Sequence, residues 1–331
     1  MRQTYYSNGK LLITGEYVIL DGALSLAIPT QYGQSLIVEP IAENKITWKS
    51  LDDNGKVWFN GEFCFEQIVF PFLYEHSLGL KTLDQVSKAL LKILFVANQL
   101  NKNFLTHYIE SEKGLSITTT LDFPQNWGLG SSSTLINNIA NWANVDAYQL
   151  LGFSLGGSGY DIACAQHDSS ITYQLLNKKN KMLNQSRFLS GLYSNPMVRE
   201  VDFNPEFKDC LYFAHLNRKQ NSRAGIEHYK KNTSNISNEI SEINGITSKI
   251  MDCKRLDEFE SLINRHETII SSIINETPVK AKYFKDFKGS IKSLGAWGGD
   301  FILATSKENP TDYFKSKGFE TVIPFDQMVL K

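Results

Sequence analysis

The chain has 331 residues, 42% of them hydrophobic and 21% charged, which predicts one large or two ordinary globular domains and excludes a mini-protein. With 34 Lys plus Arg against 35 Asp plus Glu, the formal net charge is -1, so no whole-chain field draws in nucleic acid or anionic lipid. Nine prolines and 22 glycines are ordinary usage, and no long polar tract predicts disorder. Cys64, Cys164, Cys210 and Cys253 are too widely spaced for a CxxC metal knuckle and too few for a disulfide scaffold, so reduced, mostly buried thiols are expected. The first residues lack the basic segment, apolar core and cleavage site of a secretory signal, and no apolar run reaches the roughly 20 residues of a bilayer span. The expectation is a cytoplasmic protein with no membrane or nucleic-acid partner.

Residues 1 to 70 read as strands. The runs LLIT, SLIVEP, KITWKS, KVWF and FCFEQIVF are separated by Asp21-Gly22, Asn54-Gly55 and Asn60-Gly61, the turn dipeptides of antiparallel hairpins. From Thr82 to Asn101 the period changes: Leu83, Val86, Leu90, Leu94 and Ala97 recur at helical spacing with Asp84 in the first turn, predicting an amphipathic helix against the sheet. Tyr108 to Thr120 reads as strand, with SITTTLDF running on toward Pro124. A Gly/Ser cluster then leads into helical spacing at Leu135, Ile139, Trp142 and Ala143, continuing to Leu151. A second cluster, Gly156 to Gly159, precedes a helix opening at Tyr160, and ITYQLL is the next strand. The polar stretch Asn177 to Gln185 is the best candidate for a surface turn near a domain boundary, dividing the chain into parts 1–190 and 191–331. Beyond it CLYFAHL reads as a buried strand, Ile236 to Met251 and Leu256 to Ile274 as a helical pair, and Asp300 to Thr305 and Glu320 to Pro324 as closing strands. These make a second α+β layer.

No GxxxxGK[ST] is present, GLG at 128–130 lacks the third glycine of a dinucleotide fingerprint, HExxH is absent and the six histidines are scattered. Three small-residue segments remain that let backbone approach an anion. The strongest is PQNWGLGSSST, from Pro124 to Thr134, running into a helix. Successive N–H groups there can converge on phosphate oxygens, the helix dipole favours negative charge, and a serine hydroxyl can ligate Mg2+. A Ser-capped helix after a glycine turn is an equally good reading of that cluster alone. In Gly156-Gly157-Ser158-Gly159-Tyr160-Asp161 the carboxylate either accepts a substrate proton or caps a helix. The third segment, Ser293 to Asp300, contains Gly295, Gly298 and Gly299, and is otherwise a tight turn. Lys10 follows Gly9 at a strand entrance. Trp127 and Trp297, each inside a glycine segment, either flank a nucleotide or pack the seam, and packing is favoured.

Taken in order, four segments resemble the GHMP small-molecule kinase superfamily, which includes galactokinase, homoserine kinase, mevalonate kinase and phosphomevalonate kinase. SNGK-LLIT-GEY is similar to the family's N-terminal APGK and GEH/GEY motif, PQNWGLGSSS to its phosphate loop, SGYDIA to the SGxD segment of the mevalonate kinase branch, and SLGAWGGDFILA to the C-terminal glycine motif. The resemblance implies an α+β chain of two parts, the first of ribosomal-S5-domain-2-like topology and the second ferredoxin-like, with ATP between them. It implies nucleotide binding at Gly128, Leu129, Gly130, Ser131, Ser132 and Ser133, with Ser132 also the Mg2+ ligand. Asp161 matches the catalytic aspartate and Lys10 the lysine paired with it. Glu16, Ser158, Gly159, Lys219, Ser222, Arg223, Gly295, Gly298 and Gly299 are the implied substrate-side residues.

Three departures are visible, the first being AQHDSS at 165–170, where relatives often carry a glycine pair. Asn8 replaces the usual proline, and Leu150 stands where the branch carries a metal-binding glutamate. The implied activity is γ-phosphoryl transfer from ATP to a small metabolite, phosphomevalonate or mevalonate, with a homodimer as the candidate assembly. The alternatives are a non-catalytic ATP or metabolite binder and a diphosphomevalonate decarboxylase.

Overall fold

A computed structural model describes residues 1–69, 83–176, 196–218, 222–232 and 235–331. The first part is built on strands β1 (Gln3–Leu12), β2 (Ser25–Ile41), β3 (Ile46–Leu51), β4 (Val57–Phe63), β5 (Gly114–Leu121), β6 (Ile171–Gln174) and β7 (Met197–Glu200). In β5, Leu115, Ile117, Thr119 and Leu121 are buried while Ser116, Thr118 and Thr120 are partly exposed, the period of two that turns one face to a core. The sheet runs in the order β4-β3-β5-β2-β6-β7. Long β2 carries β1 along one edge, and β5 and β6 share the other. Only β3 and β5 pair in parallel among the described strands.

Helices α1 (Phe65–Val69), α2 (Gln85–Leu100), α3 (Thr106–Glu110), α4 (Ser131–Ala143), α5 (Ala147–Ser154) and α6 (Tyr160–Gln166) accompany this sheet. Leu90, Leu94, Ile136, Ile139, Leu150 and Leu151 pack on Leu36, Val38, Trp48 and Ile117, closing one core. The second part holds α7 (Ser222–Asn232), α8 (Ser237–Asp252), α9 (Leu256–Ile274), α10 (Val279–Tyr283), α11 (Thr311–Ser316) and α12 (Phe325–Met328). Its four strands are β8 (Leu211–His215), β9 (Ile291–Ser293), β10 (Phe301–Thr305) and β11 (Val322–Pro324). They pair antiparallel in the order β11-β8-β10-β9, the wrap of a ferredoxin-like unit.

The α+β class and the two sheets expected from the sequence are both present. The expected boundary at 190/191 lies outside the described residues, and β7 beyond it still pairs with β6 of the first sheet. The largest core joins the parts: Leu11, Ile13, Leu26, Ile28, Phe123 and Leu129 pack with Phe213, Ile243, Ile270 and Phe301. Polar bonds follow the same seam. Thr247 of α8 donates to Thr14 Oγ1 at 2.8 Å, and Asn244 Oδ1 accepts the Leu24 N–H at 2.7 Å.

Four local expectations are corrected. FCFEQIVF ends β4 at Phe63 and then forms α1, because Phe65 and Ile68 bury at helical spacing and the Gln67 side chain accepts the Cys64 N–H at 3.0 Å. The strand expected from Tyr108 begins at Gly114, and Thr106–Glu110 is helical. The helix expected to run to Leu151 breaks where Asn144 turns left-handed at φ 51, and Asp146 caps a new helix by accepting the Gln149 N–H at 2.8 Å. Asp84 is the N-cap of α2 rather than a first-turn residue, accepting from Val86 and Ser87. All four cysteines are free, with Cys164 and Cys253 buried. No described helix is long and apolar enough to cross a membrane.

Candidate active site

The N-terminal and phosphate-loop segments form one unit. The Lys10 N–H donates to Leu129 O at 3.0 Å, and its Nζ donates to Gly128 O at 2.8 Å. Only glycine allows this approach at position 9, where a Cβ would stand 2.6 Å from Thr30 Oγ1 and 2.9 Å from Leu129 O. Gly128 adopts φ 68, and a Cβ there would meet the Asp300 carboxyl at 2.4 Å, so the second part's carboxylate rests on the loop.

At the start of α4 the N-cap Gly130 offers no side-chain bond, which leaves first-turn N–H groups for a ligand. The serines divide their work. Ser132 is exposed at the cavity, whereas the Ser133 hydroxyl turns back to donate to Gly130 O at 2.8 Å. The Leu129 side chain belongs to the core, and its contribution to the loop is the carbonyl that accepts from Lys10.

Asp161 stands in the first turn of α6, whose N-cap is Gly159, so it does not cap the helix. A cavity of about 520 Å³ is lined by Lys10, Gly128, Gly130, Ser131, Ser132, Ser133, Ser158, Tyr160, Asp161, Glu227, Lys230 and Asp300. Loop, lysine and aspartate therefore share one space. Burial tends to strip the Lys10 proton, but Tyr160, Asp161 and Asp300 outweigh it and raise the pKa, so the ammonium persists. Burial pushes the Tyr160 phenol up to about 12 against the pull of Lys10, so it stays a donor.

Two further cavities adjoin the first. One of about 390 Å³ shares Gln125, Ser131, Ser132 and Leu155 with it and is closed by Trp58, Gln85, Val86, Ala89, Ile93 and Leu135. The other, about 80 Å³, shares Lys10, Ser158, Tyr160 and Asp300 and is walled by Leu12, Tyr17, Ile19, Ile226, Gly295 and Ala296.

Of the implied substrate-side residues, Ser158 reaches the main cavity and Gly295 the small one, while Gly159 starts α6. Gly298 and Gly299 line neither cavity and serve the turn that brings in Asp300. Lys219 lies outside the described residues. Ser222 and Arg223 open α7, and their side chains lie outside the described set.

Glu16 borders the small cavity, with its carboxylate fully buried and taking a hydrogen bond from Lys292 Nζ. Trp127 packs edge-on against Tyr32 and Phe301, at 5.3 and 5.4 Å, and Trp297 is buried, so both pack the seam. Sequence reasoning gave no role to Asp300, Tyr160, Glu227 or Lys230. Asp300 follows the glycine pair of the third motif and was open to recognition there. Glu227 and Lys230 are one helical turn apart on α7 and carry no motif.

No family model matches the chain, and no curated protein matches its sequence. Solved structures do resemble it. Methanococcus jannaschii mevalonate kinase is 16% identical at TM-score 0.63, the match covering 97% of this chain and 96% of that one. Streptococcus pneumoniae phosphomevalonate kinase, in complex with phosphomevalonate and AMPPNP, is 16% identical at TM-score 0.67 over 97% and 99%. Lactococcus lactis galactokinase with galactose is 12% identical at TM-score 0.59 over 96% and 88%. The chain thus has the two-part fold of these enzymes, that of the GHMP kinases.

Proposed function

We propose that the protein is an ATP-dependent small-molecule kinase, with phosphomevalonate or mevalonate as acceptor and phosphomevalonate preferred. One observation carries the reading: Asp161 and Lys10 open into the same cavity of about 520 Å³ as the glycine-serine loop at a helix N-terminus. Phosphoryl transfer asks for positioning and charge neutralisation rather than covalent help, which suits this arrangement. The loop N–H groups and Ser132 hold the phosphates, and the neighbouring cavity of about 390 Å³ receives the base between Trp58, Val86 and Leu135. The small cavity, with its aliphatic wall and its opening toward Lys10, orients the acceptor.

For a hydroxyl acceptor, Asp161 takes its proton as the oxygen bonds to the γ-phosphorus and the bridging bond to ADP breaks; a phosphate acceptor, already deprotonated near neutral pH, attacks the same phosphorus with no proton to transfer. Lys10, whose ammonium shares the cavity with Asp161, neutralises charge on the transferring group. Lys230 is the described cation on the α7 side that suits a phosphorylated acceptor.

Among the described residues no group of three or more His, Cys, Asp or Glu gathers around a metal site. A nucleotide-bound Mg2+ needs fewer protein ligands, and the oxygens of Ser132, Asp161 and Asp300 around one cavity are the hard donors it favours. Ser132 with one of those carboxylates would hold it, and it would offset phosphate charge. Leu150 lies fully buried in the core of the first part, so it leaves the metal to these residues.

An ADP-release screen over mevalonate, phosphomevalonate, homoserine and several sugars tests the reading. Release with phosphomevalonate or mevalonate is expected. AMPPNP binding with no release on any acceptor would establish the non-catalytic reading that Leu150 favours, and carbon dioxide from diphosphomevalonate would establish a decarboxylase.

A further inference from the structure

Four ionisable side chains are sealed between the two parts: Glu16 after β1, Lys292 on β9, and His266 and Glu267 on α9, none more than 4% exposed. Lys292 Nζ donates to Glu16 Oε1 and to Ser293 O, the latter at 2.9 Å. Glu16 Oε2 lies 3.4 Å from His266 Nε2, but that nitrogen already accepts the Gly15 N–H at 3.0 Å, so two acceptors face each other. Burial and the Lys292 charge hold His266 well below its usual range, in the neutral form. Glu16 Oε2 and His266 Nδ1 consequently have no hydrogen-bond partner. A half-satisfied buried carboxylate is a poor device for stability.

Its location points to geometry instead. Glu16 borders the small cavity, and Tyr17 beside it is held at a positive φ of 64 with ψ -50. The Tyr17 ring stacks on Tyr229 of α7 with centroids 5.7 Å apart, and its hydroxyl receives the Trp297 N–H at 3.4 Å. On the other side of the pair, Lys292 adjoins Ser293, after which the chain turns through Gly295 and Ala296, the opposite wall of that cavity.

We propose that Glu16 and Lys292 are positioning residues, their buried pair fixing the Tyr17 wall against the 295–300 turn and so setting acceptor affinity without touching the acceptor. The kinetic arm of this proposal rests on the kinase reading, and its structural arm does not.

The test is a double-mutant cycle of Glu16→Gln, Lys292→Met and both together, with Lys292→Arg as the conservative variant, read by hydrogen exchange of amides 295–299 and by steady-state kinetics. Residues that act through one bond give non-additive effects, so each single variant and the double are all expected to raise acceptor KM and quicken exchange about tenfold. AMPPNP affinity and kcat are expected to stay within about threefold, and Lys292→Arg to stay within about threefold of the parent throughout. Effects that multiply to about a hundredfold in the double, or a loss confined to Glu16→Gln, would show direct contact of Glu16 with the acceptor and overturn the proposal.

Lower melting temperatures with unchanged KM and exchange would overturn it as well. If a single variant fails to fold, the double, which leaves no unpaired charge, decides: loosened exchange beside a parental Lys292→Arg supports the pair, and parental exchange in the double refutes it. If the parent releases no ADP with any acceptor the kinase reading fails, and the exchange comparison still settles the role of the pair.

Discussion

Replacing Glu267 by Gln should remove a pH dependence from the stability of the fold. Both carboxylate oxygens of Glu267 face Ser293, accepting its N–H at 3.1 and 3.2 Å and its hydroxyl at 2.6 Å. Burial pushes its pKa up to about 7 against the opposing charge of Lys292, while the ordinary value is 4.5. Between those two values the folded chain keeps a proton that the unfolded chain has lost. The stabilisation is therefore complete below the unfolded value, declines as pH rises, and is exhausted above the folded one. At about 1.4 kcal/mol per pH unit the whole span is worth about 3 kcal/mol, of which about 2.5 kcal/mol falls between about pH 5 and about pH 8. Gln keeps an oxygen for Ser293 and has no proton to lose. Urea unfolding of both proteins across that range should show the parent losing ground to Glu267→Gln by this amount. A difference that stays constant with pH would refute a near-neutral titration at Glu267.

With a hydroxyl acceptor such as mevalonate, Asp161→Asn is expected to lower turnover by about 10²- to 10⁴-fold while AMPPNP affinity by calorimetry stays level, and unchanged turnover removes Asp161 from the role of base. Gly128→Ala must place an L-residue at φ 68 with its Cβ against the Asp300 carboxyl, so a stability loss of at least about 1–2 kcal/mol in denaturant unfolding is expected, together with weakened AMPPNP binding. Native affinity in that variant would move the phosphates elsewhere. Ala89→Trp fills the cavity assigned to the base and should weaken AMPPNP about tenfold without changing the melting temperature, and an undiminished affinity would leave that cavity without the base.

The parts of the site that were legible in the sequence are those where backbone shape dictates residue type. Gly9, Gly128 and Gly130 sit where a side chain would collide with Thr30, Asp300 or Ser133, so their spacing survives as a readable pattern. Asp161 and Lys10 were legible only through their place beside such glycines. FCFEQIVF was misread because a short apolar run satisfies strand and helix alike, and the deciding contact, Gln67 to Cys64, is a side-chain choice. The break at Asn144 lies inside an unbroken apolar pattern, where a single left-handed residue leaves almost no trace. Nothing local foretells the pairing of Glu16 with Lys292, which lie 276 positions apart and meet only once both sheets have formed. A buried lysine and an exposed one look the same in sequence.

The core shared by the two parts also bears on how the protein is made. Leu11, Ile13, Leu26, Ile28 and Leu129 emerge early in synthesis, yet their packing partners Ile243, Ile270 and Phe301 are added only near the end. For most of translation the first sheet therefore presents an uncovered apolar face, the kind of intermediate that aggregates unless it is shielded. Once the second part docks, that same face ties the two into a single cooperative unit. Either half expressed alone would carry the exposed surface permanently, so the halves should recover solubility only when they are synthesised together.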